Sequence, residues 1–325
     1  LSGAGEGLRN TISLRGRAGG QGRLHWSSNF DEVQDFEAQI RTLAAGTGLM
    51  SDAAFNTGTR NQPLGTAKAG VSADLDALAA YVASLQASDP TPWRNGNGTL
   101  STQASNGRAV FAGQCAGCHS GTPYTDSAGN LLRNIGTLKP GSGTRLGATL
   151  TGIDTPTLRD AWATAPYLHD GSAATLEDAI LAHSTLGVTA ADATLLGAFV
   201  RQIGAQEAAV TVATGLRGDY FAGTALAGAP LLIRNEAVDF AWGTAAPGTG
   251  VPADAFSVRW SGVLLPTTSG THRFQTVSDD GVRVYVNNQL VIDNWTVHGA
   301  TTNTSGNVTL TAGQHVPIRV EYFDQ

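Results

Sequence analysis

The spacing of hydrophobic residues changes along the chain. Up to about residue 205, apolar residues recur every three or four positions, which is typical of amphipathic helices. One such set would form a single apolar face on a helix: Leu78, Tyr81, Val82 and Leu85. From about residue 215, apolar and polar residues alternate, as in Val282 to Val286, which predicts β-strands. The expected fold class is therefore multidomain α + β, with α-helical lobes followed by an all-β sandwich.

The helical part contains an internal repeat. In both copies a Leu-Arg pair is followed by a histidine eleven positions after the leucine, from Leu14 to His25 and from Leu158 to His169. Each copy then continues into an acidic helix start and, later, into a second amphipathic helix. Because three features recur in the same order, we expect two related lobes.

The expected domain boundaries follow from this repeat and from the change of pattern. The first lobe covers residues 1–90 and the second covers 91–205, with a segment rich in proline and glycine at 89–98 between their helices. A linker at 206–214 then leads to the β-sandwich at 215–325. Only the second lobe has a helix ahead of its motif, so the N-terminus is expected to cut through a domain. The C-terminus is expected to do the same, because the resemblance given below implies that the β-sandwich lacks its last strand after Tyr322.

Composition and charge exclude several classes of protein. The net charge is −6 and no basic stripe is present, which argues against a nucleic-acid partner. No apolar run approaches the length of about 18 residues that a membrane span needs. The sequence starts at Leu1 without a charged n-region, which is typical of a processed or truncated chain. The expected location, secreted, cell-surface or periplasmic, follows from the motif and the resemblances given below.

The only two cysteines in the sequence form a Cys-x-x-Cys-His motif. Cys115, Cys118 and His119 have the spacing of covalent c-type haem attachment, in which two thiols bind the haem vinyl groups and the histidine binds iron. A thiol redox pair or half a zinc site would use the same spacing. Zinc lacks a second pair of ligands, and a redox pair would need a βαβ context instead of helical flanks. One covalent haem c is the expected cofactor.

The second axial ligand of the iron has three candidates. His183 follows a predicted helix that starts at Thr175, so the helix could direct its imidazole towards the iron. The alternatives are His169 and Met50, which is the only methionine. A helix-terminal histidine can also simply interact with the helix dipole.

Residues 103–205 resemble the C-terminal haem domain of the bacterial dihaem cytochrome c peroxidase and MauG-like family. The residues that carry this resemblance are Cys115-Ala-Gly-Cys-His119, Thr157-Leu-Arg159, Ala165-Pro-Tyr-Leu-His-Asp-Gly171 and Thr175-Leu-Glu-Asp178. The resemblance implies that His183 is the distal ligand, and that Arg159 and His169 contact the haem edge or its propionates. The family uses two haems, whereas this sequence has one attachment motif.

Residues 215–325 resemble a PA14 domain, a β-sandwich of secreted adhesins, glycosidases and toxins. The resemblance rests on five segments: 215–221, 256–260, 270–274, 279–284 and 292–295. In the adhesin members an Asp-Asp pair binds Ca²⁺ and through it sugar hydroxyls, and Asp279 and Asp280 match that pair. Further candidate oxygen ligands are Asn287, Asn288 and Asp293. The same Asp-Asp-Gly segment could instead be a hairpin turn.

These features favour an extracytoplasmic cytochrome that passes single electrons through one haem, with a PA14 module for anchoring or for glycan binding. Its partners would be a redox protein or a neighbouring haem domain, and carbohydrate. One alternative is a peroxidase-like oxidoreductase whose second haem lies outside this chain. Peroxide chemistry would need an open iron position, which a His183 ligand would close. The other alternative is a structural subunit of a cell-surface polymer.

Overall fold

A computed structural model describes residues 6–16, 21–42, 46–314 and 316–325. The chain divides into two compact units. The first unit comprises Leu1–Arg108, Cys115–Ser184 and Val188–Thr211. The second unit comprises Ala109–Gln114, Thr185–Gly187 and Val212–Gln325. The residues predicted to form two separate lobes therefore share one unit, and the sheet-forming residues make up most of the other.

The helices before residue 211 are short. They are α1 (Phe36–Thr42), α2 (Asp52–Phe55), α3 (Ala73–Ser84), α4 (Thr102–Gln114), α5 (Leu176–Leu181) and α6 (Ala190–Val200). Two small antiparallel pairs lie between α4 and α5, formed by β1 (Leu132–Arg133) with β4 (Ile153–Asp154) and by β2 (Thr144–Arg145) with β3 (Ala148–Thr149). Helix therefore covers less of this part than the hydrophobic pattern predicts, and long irregular segments connect the helices.

Side-chain caps fix where the helices begin. Thr175 and Asp178 form a reciprocal capping box at the start of α5, as the Thr-Leu-Glu-Asp sequence favours. At the starts of α3 and α6, the hydroxyl groups of Ser72 and Thr189 each accept one backbone N–H group. Part of the predicted acidic helix of the first copy, at Asp31 to Phe36, is instead a 3₁₀ turn over Val33–Asp35 that leads into α1.

The apolar face predicted for α3 is wrong in part. This helix buries Leu75 and Val82, whereas Leu78 is 37% exposed and Tyr81 is 62% exposed. The spacing of apolar residues correctly indicated a helix, but it could not show which of these side chains find a packing partner.

The repeat is visible in the backbone, although its alignment differs from the predicted one. Leu24 pairs with Phe30 in an isolated β-bridge, and Tyr167 pairs with Ala173 in an equivalent bridge. Leu24 therefore corresponds to Tyr167, and the prediction that matched it with Leu168 is wrong by one residue.

With the corrected alignment, the histidine of the first copy has a new counterpart. His25 corresponds to Leu168, and both residues have a φ angle of 68°. Trp26, the next residue, corresponds to His169. The two histidines of the repeat motif are therefore not equivalent in structure.

The second unit is built around a six-stranded antiparallel sheet. Its strands are β5 (Leu216–Ala222), β6 (Leu232–Glu236), β7 (Phe256–Leu264), β10 (Val282–Val286), β11 (Gln289–Asn294) and β14 (Val316–Asp324). They are arranged in the order β11-β10-β14-β7-β5-β6. Two shorter pairs complete the unit, formed by β8 (Gly270–His272) with β13 (Val308–Leu310) and by β9 (Gln275–Ser278) with β12 (Thr301–Thr304).

Alternation of apolar residues produces the core of this unit. On β10, Val282, Val284 and Val286 are all buried, as predicted. Asn287 and Asn288 both have positive φ angles and form the tight turn between β10 and β11. Within the described residues, no helix is long and apolar enough to cross a membrane.

Candidate haem site

The attachment motif continues directly from α4. After Gln114 the backbone makes one more turn, in which the N–H groups of Cys118 and His119 donate to the carbonyl oxygen of Cys115 at 3.1 Å and 2.9 Å. Neither thiol is part of a disulfide, and both side chains are half-buried. One turn of backbone thus holds both thiols and the imidazole.

Both thiols are held in their neutral form. Burial, together with the proximity of Cys118 and Asp192, raises the pKa of Cys115 to about 12. Burial also raises the pKa of Cys118. Because the thiolate is the usual metal ligand and nucleophile, this environment disfavours a zinc site or a low-pKa redox cysteine.

The imidazole of His119 is neutral, and its tautomer is defined by the main chain. Its Nδ1–H donates to the carbonyl oxygen of Tyr124 at 3.2 Å, so the lone pair lies on Nε2. Burial, together with the proximity of His183, lowers the pKa of His119 to about 4. A neutral imidazole with its lone pair on Nε2 is the form that binds iron, and the carbonyl group of Pro156 also lies close to this ring.

His183 has the same arrangement. It lies just beyond the end of α5, and its Nδ1–H donates to the carbonyl oxygen of Ala179 at 2.8 Å. Burial lowers the pKa of this histidine as well. The structure therefore brings His183 close to His119, with both rings neutral and both Nδ1 atoms held by carbonyl groups.

The contacts of Arg159 in the structure are with main-chain carbonyl groups and with one aromatic ring. Its guanidinium donates to the carbonyl oxygens of Thr122, Gly204 and Glu207, and it stacks over the ring of Tyr124 with its central carbon 5.1 Å from the centroid. These bonds join three segments of the chain. Arg159 therefore has a structural role in holding these segments together, and its contact with a haem propionate stays a prediction.

His169 and Met50 also have other partners. His169 is fully buried, with Nε2 2.8 Å from the hydroxyl of Ser142. Met50 lies in the first copy, where its N–H donates to Glu37 at 3.1 Å and its carbonyl accepts from Arg41. These contacts favour His183 over both residues as the second axial ligand.

The Cys115-to-His119 motif implies a haem, and the side chains at this site can be compared with what a haem requires from a protein. Within the described residues, no cluster of three or more His, Cys, Asp or Glu side chains could hold a bare metal ion. Two neutral imidazoles and two neutral thiols do fit a haem, which brings four nitrogen ligands of its own and needs axial ligands and tethers from the protein. The site therefore fits a haem better than a protein-coordinated metal.

Several carboxylates of the second unit lie close enough to one another, near one end of its sheet, to affect each other electrostatically. Asp279 and Asp280 are joined by a cis peptide bond. Asp280 is buried and accepts the N–H groups of His298 at 3.0 Å and Gln325 at 2.8 Å, whereas Asp279 is exposed. Burial raises the pKa of Asp324, and the proximity of Asp254 and of the Asp279–Asp280 pair raises it further.

The other oxygen ligands proposed from the sequence are placed differently. Asn287 and Asn288 form the turn at the far end of the β10–β11 hairpin, so they are wrong as partners of Asp279 and Asp280. Asp293 lies opposite Arg283 in the pairing of β10 with β11, near the end of the sheet that carries Asp279 and Asp280. Asp254 and Asp324 are the carboxylates that the sequence did not identify, because they come from distant loops and strands with no shared motif.

Comparison with known proteins identifies the second unit. Residues 212–325 match the family model described as "PA14 domain". This part of the chain is a PA14 domain. The predicted all-β class of this region is confirmed.

Two curated proteins are similar to parts of the chain. Anti-sigma-I factor RsgI3 of Acetivibrio thermocellus is 37% identical over 110 residues, which cover 34% of this chain and 17% of that protein. Hydrazine synthase subunit gamma of Kuenenia stuttgartiensis is 30% identical over 141 residues, covering 33% of this chain and 40% of that protein. The chain thus spans well under half the length of these relatives.

Solved structures show similar partial matches. An anti-sigma factor domain-containing protein is 37% identical, covers 34% of this chain and 38% of its own, and superimposes with a TM-score of 0.33. A structure described as "PA14 sugar-binding domain from RTX adhesin" is 22% identical, covers 34% of this chain and 83% of its own, and gives a TM-score of 0.27.

Proposed function

We propose that the chain is an extracytoplasmic c-type cytochrome that transfers single electrons, with Cys115 and Cys118 as tethers of one haem and with His119 and His183 as its axial ligands. The observation that carries this proposal is the pair of neutral imidazoles, each with its Nδ1–H held by a main-chain carbonyl. When bound, the haem supplies a one-electron Fe(III)/Fe(II) couple.

The residues of the chain have defined tasks in this proposal. The carbonyl groups of Tyr124 and Ala179 accept from the Nδ1–H groups of the two rings, which places each lone pair on Nε2, the nitrogen that would bind iron. Burial around both rings keeps them neutral and limits the access of water. Two histidine ligands would leave no open iron position, which favours electron transfer over peroxide chemistry.

The test is the number of haems per chain. Pyridine haemochrome absorbance combined with the protein mass should give one covalent haem in the wild type and none in the Cys115→Ala/Cys118→Ala double variant. Two haems per chain, or a haem retained by the double variant under denaturing conditions, would contradict the proposal.

An oxidoreductase with a second haem outside this chain is the second candidate. It is favoured by the similarity to a subunit of an enzyme, hydrazine synthase. A high-spin iron that reacts with peroxide would support this candidate, and a low-spin iron that does not react would exclude it.

For the PA14 domain we propose Ca²⁺-dependent binding of carbohydrate at the Asp279–Asp280 end, which would attach the protein to a cell surface or matrix. Support comes from the Asp279–Asp280 pair with Asp254 and Asp324 nearby, since Ca²⁺ prefers several oxygen ligands. Because the described side chains do not by themselves form a cluster that could hold a metal ion, main-chain and sugar oxygens would complete the coordination. Calorimetry with Ca²⁺ should show binding that Asp279→Asn abolishes and that Asp293→Asn, as a matched control, retains. If neither Ca²⁺ nor glycans bind the wild type, the surface-attachment proposal fails.

A further inference from the structure

The six-stranded sheet of the PA14 domain has one apolar face and one charged face. Alternate side chains of a strand point to opposite faces, and those of Val258, Val284 and Val320 belong to the buried core. The residues between them therefore lie on the opposite face. One row of that face crosses five neighbouring strands, from β11 to β5, and consists of Asp293, Arg283, Glu321, Arg259 and Asp219. Negative and positive side chains alternate along this row.

Three arginines of the charged face share one carboxylate. Glu321 lies at the centre of the row and is buried. Its carboxylate oxygens lie 3.1 Å from Nε of Arg259, 2.7 Å from Nη2 of Arg283 and 3.4 Å from Nε of Arg319. Arg259, Arg283 and Arg319 are named here the arginine cluster. Because one negative charge balances only one of the three positive charges, the cluster has two positive charges in excess.

The two aspartates at the ends of the row do not remove this excess. Asp219 forms an ion pair at 3.0 Å with Arg217, which is outside the cluster. Asp293 is exposed and lies opposite Arg283, whose ion pair is with Glu321 instead. Even when Asp293 is counted against Arg283, one positive charge is left over. The arginine cluster is therefore a basic patch on a chain whose net charge is −6.

The guanidinium groups of the cluster are positioned by aromatic rings and are accessible to solvent. The central carbon of Arg283 lies 4.1 Å from the ring centroid of Trp295, and that of Arg319 lies 3.9 Å from the centroid of Tyr285. The side chains of Arg259, Arg283 and Arg319 are 33%, 28% and 40% exposed. Each guanidinium has five N–H donors in a fixed fork, so three of them have more donors than one carboxylate can accept.

We propose that the arginine cluster binds the carboxylate groups of an acidic polysaccharide of the polyuronate type, at a site that is separate from the Asp279–Asp280 end and independent of Ca²⁺. Guanidinium forks match carboxylates in a bidentate way. Arg259 and Arg283 are separated by one strand, about 9–10 Å across the sheet, which suits successive carboxylates of an extended polymer. The half-buried rings of Trp295 and Tyr285 provide apolar surface for sugar C–H groups.

The probe for this proposal is oligogalacturonate, titrated by calorimetry into the full, haem-loaded chain at low ionic strength. EDTA is present throughout, so that the outcome does not depend on the Ca²⁺ proposal. We expect saturable binding that is lost at about 1 M salt, where the screening length falls to about 3 Å. The methyl-esterified oligomer has the same sugar backbone without its charges and should not bind. Arg283→Gln and Arg319→Gln should each weaken binding about tenfold.

Arg273→Gln is the matched control, because Arg273 is exposed, lies outside the cluster and changes the net charge equally. It should bind the oligomer as the wild type does. Asp293→Asn should tighten binding about twofold to threefold, because it removes a negative charge opposite Arg283, and misfolding could not produce such a gain. Absence of binding to the wild type, equal binding of the methyl ester, or equal weakening by Arg273→Gln and Arg319→Gln would overturn the proposal. Equal binding of polyglutamate would also overturn it, because the site would then not distinguish a polysaccharide from an acidic peptide.

Discussion

The ring of Trp26 packs edge-on against the ring of His169, with their centroids 6.5 Å apart and their planes at 68°. These residues occupy the same position in the two copies of the repeat. A reciprocal pair of hydrogen bonds surrounds them: Asn10 N–H donates to the carbonyl of His169 at 2.6 Å, and Asp154 N–H donates to the carbonyl of Trp26 at 2.7 Å. The two copies are therefore joined through matching positions, which explains why they form one unit.

Trp26→Ala should destabilise the first unit by about 3–5 kcal/mol, because it removes a large buried side chain from the junction of the copies. Trp93→Ala is the matched control, since Trp93 is 55% exposed. It should change the stability by less than about 0.5 kcal/mol. Denaturant unfolding followed by haem absorbance measures both variants, and equal effects would show that the two copies do not depend on this junction.

Stability of the first unit should fall as the pH falls below about 6.5, the ordinary pKa of histidine in an unfolded chain. Burial lowers the pKa of His169 in the folded chain, so the unfolded chain binds more protons in this range. The contribution is fully present above the unfolded pKa and is lost as the pH approaches the folded pKa. In a series of unfolding curves, His169→Gln should reduce the slope of stability against pH, and an unchanged slope would refute this origin.

Gly107→Val should destabilise the contact between α4 and α6 by more than about 2 kcal/mol, because the added side chain would collide with the backbone of α6. Gly113→Ala provides the control on the same helix. A Cβ added there meets no atom closer than 3.6 Å, so the better helix propensity of alanine should leave stability unchanged or raise it. Thermal unfolding followed at the haem band compares the two variants.

Lys68 and Asp35 form a buried ion pair, with 1% of each side chain exposed. Lys68→Met should cost about 3–5 kcal/mol, because it leaves the carboxylate of Asp35 buried without its partner. The double variant Lys68→Met/Asp35→Leu should recover most of this loss, since it removes both charges. If the double variant is as unstable as the single one, the cost comes from packing and not from the unpaired charge.

The sequence predicted some parts of this molecule well, for reasons that are local. The cap at Thr175 and the turn at Asn287 each depend on a few neighbouring residues. The exposure of Leu78 and Tyr81 on α3 could not be predicted, because it depends on which side chains find a packing partner in the folded chain. The contacts of Arg159 could not be predicted either, because its partners are main-chain carbonyl groups, which every residue has and which no sequence pattern marks.

The register of the repeat shows the same limit. Sequence spacing aligned His25 with His169, because both follow a leucine, but the backbone bridges align Trp26 with His169. A shift of one residue changes which side chain lies at the junction. Applied to the acidic helices, the same shift places Ile40 opposite His183, which fits a first copy without a distal histidine of its own.

The central claim is that His119 and His183 together close the haem iron, and the optical and electron paramagnetic resonance spectra of the oxidised protein test it most directly. We expect a low-spin iron in the wild type and a high-spin iron in His183→Ala. His183→Met should restore low-spin iron with a higher reduction potential, because a thioether favours the reduced metal. A high-spin wild type, or a His183→Ala spectrum identical to that of the wild type, would contradict the account.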